Sequence, residues 1–148
     1  MEPLHVDDAL AGLRSLLGRL AGPHIDLVIE CEAGLPPVRF ESGALRRILV
    51  ELVQTSSSAI PDRGRIAVRA EAKTDRVLLR VADTGPGVAV DELPRVFEPF
   101  HEAQRRGASA EAGLAAVYEL VVAGGADIRV SSTPGGGARF SIYLPVWA

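Results

Sequence analysis

Residues 81–89 read VADTGPGVA. An apolar run that ends in an acid and passes at once into Gly85 and Gly87 sets a carboxylate at a strand end, beside backbone that glycine lets approach a ligand closely. An ionised carboxylate only accepts hydrogen bonds, so Asp83 suits a group that presents N–H donors. Taken alone, the D-x-G-x-G spacing fits a tight turn capped by Asp83 equally well. The flanking segments decide between the two.

Immediately upstream, GRIAVRAEAK (64–73) and DRVLLRVAD (75–83) alternate apolar and polar residues and join near Lys73 to Asp75, which predicts an antiparallel hairpin whose second strand delivers Asp83. Before it, GALRRILVELVQTSSSAI (43–60) predicts a helix. Its buried stripe is Leu45, Ile48, Leu49, Leu52, Val53 and Ile60, while Arg47, Glu51, Thr55 and Ser58 share another face. The run Thr55 to Ser58 stands where good helix formers are expected, so this face was either built to hold a ligand or has lost one.

Further out, Val6, Ala9, Leu10, Leu13, Leu16, Leu17 and Leu20 recur at helical spacing, with Asp7 or Asp8 available to cap the start. IDLVIEC (25–31) and PPVRF (36–40) read as strands around a loop. Downstream, AGLAAVYELVVAGG (112–125) predicts a core helix stopped by Gly124 and Gly125. ADIRVSSTPGGGARFSIYLP (126–145) predicts a closing hairpin that turns at Thr133 to Gly137. Hairpins outnumber crossovers, so the fold class expected is α+β: a two-layer sandwich of a mixed, mostly antiparallel sheet with about three helices on one face.

The 148 residues suit a single domain, 1–148, with 47% hydrophobic and 24% charged residues and a formal charge of −3. That balance gives no basic footprint for nucleic acid. The lone Cys31 excludes an internal disulfide, and its apolar neighbourhood predicts a buried structural thiol. His5, His24 and His101 lack metal-ligand spacing. No signal-peptide pattern or membrane-length apolar run is present, so a cytoplasmic location without direct membrane contact is expected, although a parent protein can still be anchored.

The order polar-faced helix, hairpin, DTGPG, VFEPF, GLAAV and TPGGGARFSIYLP resembles the catalytic and ATP-binding domain of sensor histidine kinases, a fold shared with gyrase, Hsp90 and MutL. The likeness covers nearly the whole chain. PLHVDDAL looks like the entry after the dimerisation segment, LRRILVELVQTSSSAI like the asparagine-box helix, and DTGPG like the first glycine box. Phe97 and Phe100 match the phenylalanine box, and Gly113 with Leu114 the end of the second glycine box. The resemblance implies that Asp83 hydrogen-bonds the adenine amino group of ATP or ADP, that Gly85 and Gly87 shape the base pocket, and that His101 to Ala112 form a lid over the phosphates. It also implies as partners a dimerisation and phosphoacceptor domain and a response regulator.

Two of the family's patterns are altered. Where the family places two asparagines one helical turn apart, this sequence has Glu51 and Thr55. Glu51 matches the glutamate that related ATPases use as a base to activate water, but Thr55 offers only a hydroxyl to Mg²⁺. The second glycine box falls on Ser109-Ala110-Glu111-Ala112-Gly113-Leu114-Ala115, in which Gly113 alone remains of three glycines. Glycine there lets successive backbone N–H groups turn toward phosphate at a helix N-terminus. Glu111 brings a negative charge instead, and two unit charges about 4 Å apart repel by about 4 kcal/mol at an effective dielectric near 20. Arg105 and Arg106 are read as solvated surface.

The expectation is therefore a histidine-kinase-like domain with weakened or lost nucleotide and Mg²⁺ binding and a regulatory docking role. An active kinase and a non-catalytic adaptor on the same fold are the alternatives. The phosphoacceptor hairpin is expected to be absent from this chain, which then cannot autophosphorylate alone.

Overall fold

A computed structural model describes residues 1–85, 108–133 and 136–147. Its elements in chain order are α1 (Val6–Ala21), β1 (Ile25–Cys31), α2 (Ser42–Ala59), β2 (Gly64–Ala72), β3 (Arg76–Asp83), α3 (Ala108–Ala123), β4 (Asp127–Thr133) and β5 (Gly137–Pro145). The strands form one five-stranded sheet in the order β1-β2-β3-β5-β4. β1 and β2 are parallel and joined through α2, whereas the remaining neighbours are antiparallel. This is the mixed, mostly antiparallel α+β sandwich expected from the sequence.

Alternation along the strands decides the layering. Ile66, Val68 and Ala70 on β2, Val77, Leu79 and Val81 on β3, and Phe140, Ile142 and Leu144 on β5 are buried and share one core cluster with the helices. Over this face α2 touches both α1 and α3, as well as β2 and β3. It does so because its stripe Leu45, Ile48, Leu49, Leu52 and Val53 is fully buried, as the 3.6-residue spacing predicts. α3 contributes Leu114, Val117 and Val121 at spacings of three and four. The C-terminal end of this central helix meets the end of β3, where Ile60 lies against Gly85. No described helix is long and apolar enough to cross a membrane.

Four local expectations are corrected. α1 is preceded by His5 with no side-chain cap, and Asp7 and Asp8 lie inside the first turn, where carboxylates favour the helix dipole without capping it. PPVRF is not a strand: Val38 makes only isolated bridges to Leu4 and Val146, because Pro36 and Pro37 have no N–H to extend a ladder. Cys31 is exposed, since it closes β1 at the sheet edge beyond the packed part of the strand. Its pKa is nevertheless raised by partial desolvation and then by the Asp7 carboxylate, with Arg14 opposing. Finally, α3 begins at Ala108 and not at Ala112, so residues 108–112 of the expected lid are helical. Alanine at 108, 110 and 112, with serine and glutamate where glycine was expected, removes the interruption that glycine would supply.

Candidate functional site

β3 lies mid-sheet, and its last residue, Asp83, sits where β2, β5 and the C-terminal end of α2 converge. One carboxylate oxygen, Oδ1, accepts from the backbone N–H of Gly85 (2.8 Å) and from that of Ala138 on β5 (3.2 Å). The first bond is a local turn and the second ties the turn to a strand 55 residues away. The turn reading and the site reading of the motif therefore coexist. Both bonds fall on the same oxygen, so among the described residues the other keeps its acceptor capacity.

The neighbouring residues are equally fixed. The Thr84 N–H donates to the Arg65 carbonyl (3.1 Å), and the Arg65 N–H donates to Thr84 Oγ1 (2.9 Å), continuing the β2–β3 ladder past Asp83. Gly85 lies against Ile60, the residue that ends α2: a Cβ added there would stand 3.1 Å from Asp83 Oδ1 and 3.3 Å from Ile60 Cγ1. Gly137 has φ +96°, and a Cβ on it would collide with the Asp83 carbonyl oxygen. The sequence shows Thr133 to Gly137 only as a hairpin turn, and this contact, for which the glycine run is the signal, needs the β3–β5 pairing as well.

The polar run on α2 divides into distinct roles. Ser57 is buried and its hydroxyl donates to the Ala21 carbonyl at 2.6 Å, fastening α2 to the end of α1. His24 Nε2 lies 3.4 Å from the Ser57 carbonyl oxygen at the same junction. Ser56, 2% exposed, packs with the core, and among the described residues its hydroxyl has no hydrogen-bond partner. Ser58 is exposed. Ser56 thus serves packing and Ser57 tethering.

Glu51 and Thr55 follow one another along α2, one turn apart. Glu51 Oε1 is paired with Arg47 Nε at 3.2 Å, and Thr55 is buried, with 7% exposure. Mg²⁺ prefers octahedral oxygen ligands and keeps waters, needing room as well as donors. A carboxylate already paired with a guanidinium and a buried hydroxyl fit that requirement poorly. Leu114 is buried in the core, and Gly113 lies inside α3. Gly87, Phe97 and Phe100 lie outside the described residues, as do His101, Arg105 and Arg106.

A hollow of about 180 Å³ adjoins Asp83, lined also by Ala82, Ser131, Ser132, Gly137, Ala138 and Arg139. Ala82, Ser131 and Arg139 occupy outward positions of the sheet and Asp83, Ser132 and Ala138 inward ones, so this hollow lies at the strand ends. It is also smaller than the sites of about 300–1,000 Å³ that usually enclose small-molecule ligands.

A glycine-flanked acid closing a central strand beneath the end of a long helix, within a five-stranded α+β sandwich, defines the class of nucleotide-binding ATPase folds. The chain belongs to the family of histidine kinase-, DNA gyrase B-, and HSP90-like ATPases, whose pattern matches residues 41–148. It is 35% identical to the sensor kinase CckA of Brucella abortus over 159 aligned residues, covering 97% of this chain and 17% of that protein. It therefore spans only a small part of such relatives. The mycobacterial sensor histidine kinase MprB superposes with a TM-score of 0.80 at 25% identity over 98% of both chains. Full-length ShkA, solved in complex with AMPPNP, superposes at 0.85 with 30% identity over 99% of this chain and 32% of that one. The chain is a histidine-kinase-type ATPase domain.

Proposed function

We propose that this domain belongs to a two-component signalling protein, that it keeps the adenine end of the ATP site, and that its phosphate and metal end is altered toward a regulatory docking role. The adenine end rests on Asp83, and by family resemblance Gly85, Gly87, Phe97, Phe100 and Leu114 are its other nucleotide-binding residues. At the other end stand Glu51, Thr55 and Gly113.

One observation carries the reading: α3 is already helical from Ala108, across Ser109 to Gly113. Only the first turn of a helix leaves its N–H groups free, so those of Ala112 and Gly113 are engaged in i→i−4 bonds and phosphates have fewer free donors there than in a glycine loop. Glu111 adds a negative charge within the same turns. Since phosphoryl transfer depends mainly on positioning and charge neutralisation, these changes act on its main sources of rate.

A second reading, an active catalytic domain that transfers the γ-phosphoryl group of ATP to a histidine of a dimerisation domain, is favoured by the carboxylate at Glu51. There it would serve as base once released from Arg47.

The test is phosphohistidine formation on a supplied dimerisation and phosphoacceptor domain at millimolar ATP with Mg²⁺. The altered-site reading expects transfer at least about a hundredfold slower than with an intact catalytic domain, a loss of about 2.7 kcal/mol. Transfer at comparable rates would establish the active reading.

A further inference from the structure

The face of the sheet turned away from the helices carries a row of arginines that the nucleotide site does not use. Strand register places Glu30, Arg69, Arg80, Ser141 and Arg129 side by side across β1, β2, β3, β5 and β4. Arg69 and Arg80 are direct cross-strand partners. Neighbouring strands lie about 4.8 Å apart, and like charges placed opposite one another are destabilising.

Among the described residues little relieves this. Arg80 has Glu71 at 3.9 Å and Ser141 Oγ at 3.5 Å. Arg69 and Arg129 are exposed and form no ion pair among the described residues, and Glu30 does not close on Arg69 although it is its register partner. Arg139, also exposed and without an ion pair among the described residues, stands one row away on β5. A positive face thus sits on a chain whose formal charge is −3.

The adjoining row is Glu71, Leu78, Tyr143 and Asp127. Leu78 lies outside the helix-side core and is covered by its neighbours on this face, and Arg76, Asp127, Arg129 and Tyr143 line an open hollow of about 370 Å³. Tyrosine and arginine around a hollow are residues enriched at protein interfaces. The carboxylates Glu71 and Asp127 at the row's two ends would repel a continuous polyanion, whereas a protein can place its own charges in register with them.

We infer that the arginine row Arg69–Arg80–Arg129, with the half-buried Tyr143 beside it, is a docking surface for an acidic segment of a protein partner that also carries apolar side chains. Guanidinium groups bind carboxylates in bidentate pairs, so an approaching carboxylate row turns the Arg69–Arg80 repulsion into attraction. This surface is on the opposite side of the sheet from α2 and does not depend on whether nucleotide binds.

The test uses the chain with a synthetic peptide of repeated Glu-Leu-Glu-Tyr units as probe, followed by fluorescence anisotropy. Binding is expected, weakened at least about tenfold in Arg69→Glu/Arg129→Glu and lost at high salt. No binding, or equal binding by the variant, overturns the proposal. Phosphatidylglycerol vesicles, a short DNA duplex or inorganic phosphate bound more tightly than the peptide through the same arginines also overturns it, by making the ligand an anion of another class. In a separate melt, Arg69→Thr removes the repulsion and should raise the melting temperature by about 1–3 °C. A fall would mark the row as structural and overturn the proposal as well.

Discussion

Asp83 on β3 and Ala138 on β5 are joined by a hydrogen bond of 3.2 Å from the Ala138 N–H to Asp83 Oδ1. Through it, the acid that ends the central strand also holds the start of the strand beside it. Gly137, one residue earlier, leaves the space this approach requires.

Gly137→Ala should therefore be severe. The added methyl meets the Asp83 carbonyl oxygen and the backbone at φ +96° resists any side chain, so a loss above about 2 kcal/mol is expected. Gly125→Ala is the control: its φ is +74° but nothing lies within 4 Å of the new atom, so its loss should stay near 1 kcal/mol. Urea denaturation of both variants checks the difference, and equal losses would refute the contact.

Ser57 and Ser56 are adjacent and both buried, but they should respond oppositely to alanine. Ser57→Ala removes the 2.6 Å bond to the Ala21 carbonyl and should cost about 1–2 kcal/mol. Ser56→Ala removes a buried hydroxyl that has no partner among the described residues, and should leave stability unchanged or raise it. The same denaturation assay reads both.

The raised pKa of Cys31 sets a pH dependence for its chemistry. Because burial and Asp7 disfavour the thiolate, the fraction ionised at a given pH is lower than for an ordinary cysteine. Alkylation by iodoacetamide at neutral pH should be slower than that of a free cysteine and should climb only at higher pH. Asp7→Asn removes the second-largest cause and should speed it. A rate at neutral pH equal to that of free cysteine would contradict the assignment.

Restoring the family's residues tests whether their loss matters. Thr55→Asn with Glu111→Gly supplies an amide ligand and removes a negative charge where phosphate is expected, so Mg²⁺-dependent ATP affinity should rise at least about tenfold, or 1.4 kcal/mol. Isothermal titration of both proteins measures it. Unchanged affinity would place the cause elsewhere.

Much of this was legible because periodicity reports burial. The stripe from Leu45 to Val53 and the alternation of β2, β3 and β5 fixed the layers, and DTGPG marked the end of β3. What escaped the sequence depended on distant partners. The approach of Gly137 to Asp83 needs the β3–β5 register, and Ser57 bonds to a residue 36 positions away. The edge position of Cys31 follows from the strand order and not from its apolar neighbours. The earlier start of α3 was a misjudged balance, in which alanine propensity outweighed the loop expected by family likeness. The arginine row appears only when strands far apart in sequence are laid side by side.

The central claim, an adenine end kept and a phosphate and metal end altered, is tested most directly by the melting temperature during ATP titration with and without Mg²⁺. A ligand at 100 times its dissociation constant adds about 2.7 kcal/mol, several degrees for a domain of this size. The account predicts at most a small shift, the same with Mg²⁺ as without it. A shift of several degrees that requires Mg²⁺ would contradict it and show that Glu51 and Thr55 build a working metal site.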